Sequence, residues 1–319
     1  MTEQPTLAQE VRQGLTRPAK ALPPHLFYDE EGSRLYERIT ELEEYYPTRT
    51  ERAILARHAT AMITLAATGS ALPVHVVELG AGSADKTRLV LSAAVGLRGP
   101  TRYLPIDVSP SALELARARI EAELPDVRVL PFVGRHEEAV ATIGALGPRR
   151  LVLFIGSSIG NFEDTEAVRL LATVRRGLEP GDALLLGTDL RKSPARLVAA
   201  YDDARGVTAA FNKNLLARIN RELGGRFDLD RFTHVALWNE PASRIEMYLE
   251  SRVEQEVRID ALALSVRFAK GERIHTESSI KYDQPRVDRI LSRSGFAREK
   301  TFTDDAKAFS VHLCRAVAM

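Results

Sequence analysis

Glu78-Leu-Gly80-Ala-Gly82-Ser-Ala-Asp-Lys86 stands directly after a short apolar run, Val74-His-Val-Val77, and before a segment of helical character. Glycines in such a turn let the backbone approach a ligand closely, as nucleotide-binding turns do. Twenty-five positions beyond Gly82, Asp107 closes a second apolar run, Tyr103-Leu-Pro-Ile106. A carboxylate there can accept hydrogen bonds from both hydroxyls of a ribose. Strand-sized runs follow at Val127–Phe132, Leu151–Ile155 and Ala183–Leu186, with helix-like segments such as Ala112–Leu124 and Ala167–Leu178 between them. Buried strands alternating with helices predict βαβ units and a parallel sheet. Right-handed crossovers then make it a doubly wound α/β domain.

Either side of this alternation the pattern changes. The first sixty residues read as helical, and Thr48-Arg-Thr-Glu51 matches a capping box placed before ERAILARHATAMITLA. After Leu190, Arg196–Leu223 reads as one or two helices and Arg244–Tyr282 as a strand meander. In the meander Ile245, Met247 and Leu249 alternate with polar residues, as do Leu262, Leu264, Val266 and Phe268. Period-2 alternation fits antiparallel strands with one wet face. The end of the chain returns to the earlier style, with a helix at Val287–Arg293 and closing strands at Phe296–Phe302 and Phe309–Ala316. The expected organisation is therefore an α/β domain made of residues 56–190 and 282–319. A second, α+β lobe, made of residues 1–55 and 191–281, is expected to bind substrate.

Composition narrows the function. In 319 residues, 44 Lys plus Arg against 43 Asp plus Glu give a net charge of +1. That balance carries no electrostatic footprint for a nucleic acid or an anionic membrane, and it points to a small-molecule partner. One cysteine, Cys314, rules out an internal disulfide framework, and seven scattered histidines give no metal-ligand spacing, so no metal is expected. The N-terminus lacks an apolar signal region and no apolar run reaches membrane length, which predicts a cytoplasmic protein. A monomer is the simplest expectation.

The loop also discriminates between cofactors. A nicotinamide dinucleotide places its pyrophosphate at the helix N-terminus, over a third glycine. Here that position is Ala84. S-adenosylmethionine has no phosphate, and Glu78 entering the loop suits a cationic ligand. A terminal hairpin likewise fits a methyltransferase better than a dehydrogenase, so S-adenosylmethionine is the expected cofactor and S-adenosylhomocysteine its product.

Longer motifs carry a resemblance to a known family. They are PPHLFYD (Pro23–Asp29), EYYPTRTE (Glu44–Glu51), ELGAGSADK (Glu78–Lys86), GSSIGN (Gly156–Asn161) and GTDL (Gly187–Leu190). YDDARGVTAAFN (Tyr201–Asn212), FDLD (Phe227–Asp230), RIEM (Arg244–Met247) and TESSIK (Thr276–Lys281) continue the series. The sequence resembles the histidine Nα-methyltransferases of ergothioneine biosynthesis, which trimethylate histidine to hercynine with S-adenosylmethionine. That resemblance implies a Rossmann-like class I methyltransferase sheet and L-histidine as substrate. It also implies roles. Gly80, Gly82, Lys86 and Asp107 look like cofactor contacts, with Tyr45 and the Arg135-His136 segment beside them. Asn161 and Tyr201 resemble a clamp on the substrate carboxylate. Tyr45 and Tyr28 are similar to tyrosines near the reacting amine, which the Gly156 carbonyl would help orient. Catalysis would thus fall to Tyr45, Asn161 and Gly156. Glu277 and Ser279 resemble the pair that grips the imidazole, and Met247 and Phe211 the apolar walls around it. Being two apart on an expected strand, Glu277 and Ser279 share one face.

One position departs from the family pattern. Where the family commonly has an acid followed by phenylalanine, this chain reads Gly134-Arg135-His136. Arg135 has no acceptor, so the adenine contact is expected from a backbone carbonyl or a neighbouring carboxylate. The competing readings are the same chemistry on another amino acid, such as a tryptophan derivative, and a catalytically silent S-adenosylmethionine sensor.

Overall fold

The computed structural model describes residues 6–317. Three helices open the chain: α1 (Leu7–Leu15), α2 (Glu30–Thr40) and α3 (Tyr46–Ala66). An alternating stretch follows: β1 (His75–Leu79), α4 (Thr87–Arg98), β2 (Thr101–Asp107), α5 (Pro110–Glu123), β3 (Val127–Val129), β4 (Phe132–Val133), α6 (Val140–Ala145), β5 (Arg150–Phe154), α7 (Asp164–Arg175) and β6 (Ala183–Asp189). Next come α8 (Pro194–Ala199), α9 (Val207–Leu223) and five strands, β7 (Phe232–Asn239), β8 (Arg244–Ser251), β9 (Gln255–Ile259), β10 (Leu264–Phe268) and β11 (Arg273–Ile280). The chain closes with α10 (Gln284–Arg293), β12 (Phe296–Thr303) and β13 (Phe309–Ala316).

These elements form two compact units, Met1–Tyr46 with Lys192–Ser279, and Pro47–Arg191 with Ile280–Met319. The division expected at residue 55 falls instead between Tyr46 and Pro47. The reason lies in α3. It begins at Tyr46, with Pro47 in its first turn, where a missing N–H costs nothing. Thr48 is therefore inside the helix and not its cap, and Glu51 is freed from the capping role read from the sequence.

The larger unit contains one sheet in the order β12-β13-β6-β5-β1-β2-β3, with β4 beside β2. β1 to β6 pair in parallel, while β13 runs antiparallel to β6 and to β12. Alternation along each strand feeds two cores. Val76, Tyr103, Leu151 and Leu185 face Ile54, Leu55, Met62, Val90, Leu91 and Ile120 from α3, α4 and α5. On the other side Val77, Leu79, Val152, Phe154 and Leu186 face Ile143, Leu170, Leu171, Ile290 and Leu291 from α6, α7 and α10. Each such side chain contributes roughly 1.5–3 kcal/mol relative to exposure, and burial on both faces explains why these strands lack polar alternation. The chain leaves β1 toward β2 and β3 on one side, then returns to β5 on the other. The carboxyl ends of β1 and β5 thus flank the point where strand order reverses, the place at which open α/β sheets bind ligands.

The smaller unit contains a three-stranded sheet in the order β11-β8-β7 and a β9–β10 hairpin. β7 and β8 pair antiparallel with Ala236 opposite Met247, and Val257 faces Val266 in the hairpin. The expected alternation from Leu262 starts two residues late, because Asp260–Leu262 is a tight 3-10 turn ending on Ala263 at φ 44°. α2 is capped by Asp29, whose Oδ1 accepts the Gly32 amide (2.7 Å) and the Asn214 side-chain amide (2.8 Å).

Candidate active site

At the carboxyl end of β1, Gly80 and Gly82 take φ 71° and 51°, values that L side chains rarely adopt. Both the Gly80 and Ala81 amides donate to the Ile106 carbonyl (2.8 and 3.2 Å), which welds the loop to β2. Asp107 is held twice: its Oδ2 accepts the Gly82 amide (3.0 Å) and its Oδ1 the Ser109 amide (2.9 Å). Each oxygen keeps a further lone pair, enough for a pair of ribose hydroxyls. A Cβ built on Gly82 would meet no atom within 4 Å, so open space lies in front of the loop. His136 lines the same space, its Nε2 standing 4.0 Å from where a Gly80 Cβ would be and its ring edge-on to Phe154 (5.7 Å). Burial lowers the His136 pKa and keeps its ring neutral. Arg135 precedes a short turn in which its amide donates to Glu138 (3.0 Å), so that neighbouring carboxylate already braces the loop.

Glu78 is turned into the protein. Its carboxyl is buried, accepting from the Thr87 hydroxyl (2.5 Å) and from the Tyr103 hydroxyl, and so joins the start of α4 to β2. Burial pushes its pKa up to about 7, against the lowering effect of those two hydroxyls and of Lys86. The native state therefore holds a proton that the unfolded chain releases near 4.5, and stability falls as pH rises between these values. Glu78→Gln, which mimics the neutral acid, should match the wild type at about pH 4 and exceed it at pH 8 by about 3 kcal/mol. Parallel urea denaturation series at the two pH values check this. An unchanged difference would place the ionised carboxylate in the native loop.

Beyond β5 the chain turns sharply through Gly156 (φ 78°) and Ser157 (φ 58°) into a 3-10 turn, Ser158–Asn161. Ser157 Oγ accepts the Asp189 amide (2.9 Å), and the Tyr282 hydroxyl donates to the Ile159 carbonyl (3.1 Å). At its start the loop meets Glu51 of α3. Both Glu51 oxygens accept the Gly156 amide (3.0 and 2.9 Å), and one also takes the Lys86 ammonium. Gly80, Gly82, Lys86, Asp107, His136 and Gly156 thus gather at one end of the sheet, with Asn161 closing the turn that Gly156 opens. Glu51 belongs to this group and was not among the residues singled out from sequence; its spacing from Thr48 had made it a capping residue.

In the smaller unit an aromatic cluster forms around Tyr45. Its ring lies edge-on to Tyr36 (6.4 Å) and Tyr201 (6.1 Å). Tyr36 also contacts Tyr28 (5.8 Å) and Phe211 (6.1 Å), and Phe211 contacts Tyr28 (5.9 Å). The Tyr201 hydroxyl hydrogen-bonds Ser279 Oγ (2.7 Å). Burial raises the Tyr45 pKa well above 10, aided by Tyr36, Tyr201 and Glu277, so the phenol stays neutral. Met247 is buried on β8, where its carbonyl accepts the Thr276 hydroxyl (3.1 Å) from β11. Tyr28, Tyr45, Tyr201, Phe211, Glu277 and Ser279 are therefore brought together. Tyr36 was missed, although it shares a face of α2 with Gly32 and Leu35. So was His234. Its Nε2–H donates to the Tyr201 carbonyl (2.8 Å), which leaves Nδ1 to accept the Asn212 amide (2.8 Å). Its burial-lowered pKa agrees with that neutral form.

A parallel sheet reversing at β1 and β5, closed by an antiparallel terminal pair and carrying a glycine loop opposite a strand-end aspartate, is the class I S-adenosylmethionine-dependent methyltransferase architecture. The loop fits that cofactor: Asp107 could accept from ribose hydroxyls, open space lies before Gly82, and Ala84 stands where a dinucleotide loop has its third glycine. A family model described as histidine-specific methyltransferase, SAM-dependent, matches residues 7–316. The chain belongs to this family. It is 46% identical over 307 residues to the histidine N-alpha-methyltransferase of Mycolicibacterium smegmatis, covering 96% of this chain and 94% of the relative. The protein of the same name from Mycobacterium tuberculosis is 44% identical with the same coverage. Ergothioneine biosynthesis protein 1 of Neurospora crassa is 30% identical over 291 residues, 89% of this chain and 32% of that protein. Among the described residues no helix is long and apolar enough to cross a membrane, and no group of three or more His, Cys, Asp or Glu could hold a metal ion.

Proposed function

We propose that this protein transfers methyl groups from S-adenosylmethionine to the α-amino nitrogen of L-histidine, three times in succession, giving hercynine for ergothioneine formation. The observation that carries this reading is the histidine-specific family match across residues 7–316. The cofactor supplies an electrophilic methyl group on a sulfonium, to be taken in line by the amine. Asp107 would hold the ribose, Lys86 and the Gly80–Gly82 backbone the amino-acid end, and His136 with Arg135 would border the adenine. Asn161 and Tyr201 grip the substrate carboxylate, and Glu277 and Ser279 take the two imidazole nitrogens, with Met247 and Phe211 as apolar walls. Little new charge develops in such a displacement, so the residues act chiefly by alignment and by excluding water.

The amine must give up its proton to water before it reacts, since an ammonium has no lone pair. Tyr45 stays a neutral phenol and shares a hydrogen bond with Tyr36, so it is no base. Its oxygen accepts an N–H from the amine and aims the nitrogen lone pair, together with the Gly156 carbonyl and Tyr28. The surrounding aromatic faces then favour the growing ammonium head. Tyr45→Phe should lower kcat by about 100-fold, as expected for a lost positioning contact at the reacting nitrogen, and should weaken S-adenosylhomocysteine binding far less, read by calorimetry. An unaltered kcat removes Tyr45 from the mechanism. The reading as a whole is tested by supplying S-adenosylmethionine and all common amino acids together. Trimethylated histidine alone supports it, whereas a methylated indole amino acid or no product overturns it.

A further inference from the structure

Glu51 is a fully buried carboxylate that no step above uses. Its oxygens bind one backbone amide, Gly156, and one ammonium, Lys86. Room for it is made by Gly187 of β6, where a Cβ would stand 2.1 Å from Glu51 Oε1 and 3.2 Å from the Ile155 Cα. The side chain thus reaches between the ends of β5 and β6 only because residue 187 has no side chain. A buried carboxylate is a costly way to hold a sheet together, since apolar replacements of buried ion pairs are often neutral or stabilising. What a carboxylate does and an apolar group cannot is aim its partners. It fixes the position of the Lys86 ammonium. It also fixes the peptide entering Gly156, from which the turn to Asn161 starts.

We propose that Glu51 is a positioning residue that aims Lys86 at the cofactor and Gly156 at the reacting amine, so that one side chain couples the two halves of the reaction. The inference rests on the roles given above to Lys86 and Gly156. Its test uses S-adenosylhomocysteine binding by calorimetry, melting temperature, and kcat and KM with histidine, on Lys86→Met, Glu51→Gln, the double variant and Gly187→Ala. Lys86→Met should weaken S-adenosylhomocysteine about tenfold or more, as expected for a lost hydrogen bond to a charged group. Glu51→Gln should weaken it comparably and also lower kcat. In the Lys86→Met background Glu51→Gln should add no more than about twofold to the affinity loss, yet still lower kcat through Gly156. Gly187→Ala displaces the carboxylate without removing its charge and should reproduce both effects, which keeps the test available if Glu51→Gln does not fold. A folded Glu51→Gln or Gly187→Ala protein with wild-type affinity and kcat, beside a weakened Lys86→Met, overturns the inference alone. Wild-type affinity in Lys86→Met instead overturns the cofactor role of Lys86 and with it the Lys86 half of the inference, while the kcat of Glu51→Gln still reads the Gly156 half.

Discussion

Glu277→Ala is expected to reduce kcat/KM for histidine by roughly 30- to 5,000-fold, the equivalent of about 2–5 kcal/mol for truncating one partner of a charged hydrogen bond that bound substrate would bury. Glu277 lies on β11, two residues before Ser279 and close enough to raise the pKa of Tyr45. A site built to hydrogen-bond a polar ring rejects side chains that lack one, because its own acceptors would go unmet. Removing the carboxylate should therefore also narrow the gap between histidine and amino acids of similar size without an imidazole. Glu277→Gln keeps an acceptor and should lose less. Competition between histidine and phenylalanine, read by mass spectrometry, measures the ratio directly. An unchanged ratio in Glu277→Ala would move ring recognition away from this residue.

A loss of about 3–5 kcal/mol in folding stability is the expected result of Asp182→Ala, at the opposite end of the sheet. Asp182 precedes β6 and Arg150 opens β5, and both are buried. The Asp182 carboxylate accepts the Arg150 amide (2.9 Å) and the Glu179 amide (2.9 Å), and its Oδ2 lies 2.8 Å from Arg150 Nε. Arg150 in turn donates to the carbonyls of Gly177 (2.9 Å) and Gly144 (3.2 Å). Deleting the aspartate leaves a guanidinium inside the protein without its counter-charge, against a typical total stability of only about 5–15 kcal/mol. Urea denaturation should show the midpoint falling with an unchanged slope, while the folded fraction binds S-adenosylhomocysteine as before. Replacing Arg150 and Asp182 together by apolar residues should recover most of the loss. A single-variant loss below about 1 kcal/mol would mean that water reaches Arg150.

Local pattern was enough for the α/β sheet. Strands buried on both faces appear as continuous apolar runs, and Leu151–Ile155 and Ala183–Leu186 are found in β5, its following turn and β6. The glycine loop and Asp107 were legible for the same reason, since a turn between a strand and a helix is written in adjacent residues. The terminal helix and hairpin also follow the sequence pattern closely. Boundaries were less legible. The smaller unit's β7 was not anticipated, and the apolar alternation through Leu262 ran across a tight turn whose φ 44° at Ala263 no spacing announces.

Side-chain partners were the least legible part of the candidate site. Glu78 was read as suiting a cationic ligand because it enters the loop, but strand pairing places Tyr103 of β2 close enough to take its carboxylate. Tyr36 is an ordinary tyrosine on an amphipathic helix until α2 brings it among Tyr28, Tyr45 and Phe211. Glu51 offers the clearest contrast. Its three-residue spacing from Thr48 is a local signal and was read as a cap, whereas its partners lie 35 and 105 positions away. The sequence by itself determined the sheet, its glycine loop and the family, because periodicity and contiguous motifs are properties of neighbouring residues. Only the tertiary structure decided which buried charges meet, because those pairs form where strand order reverses and distant segments converge.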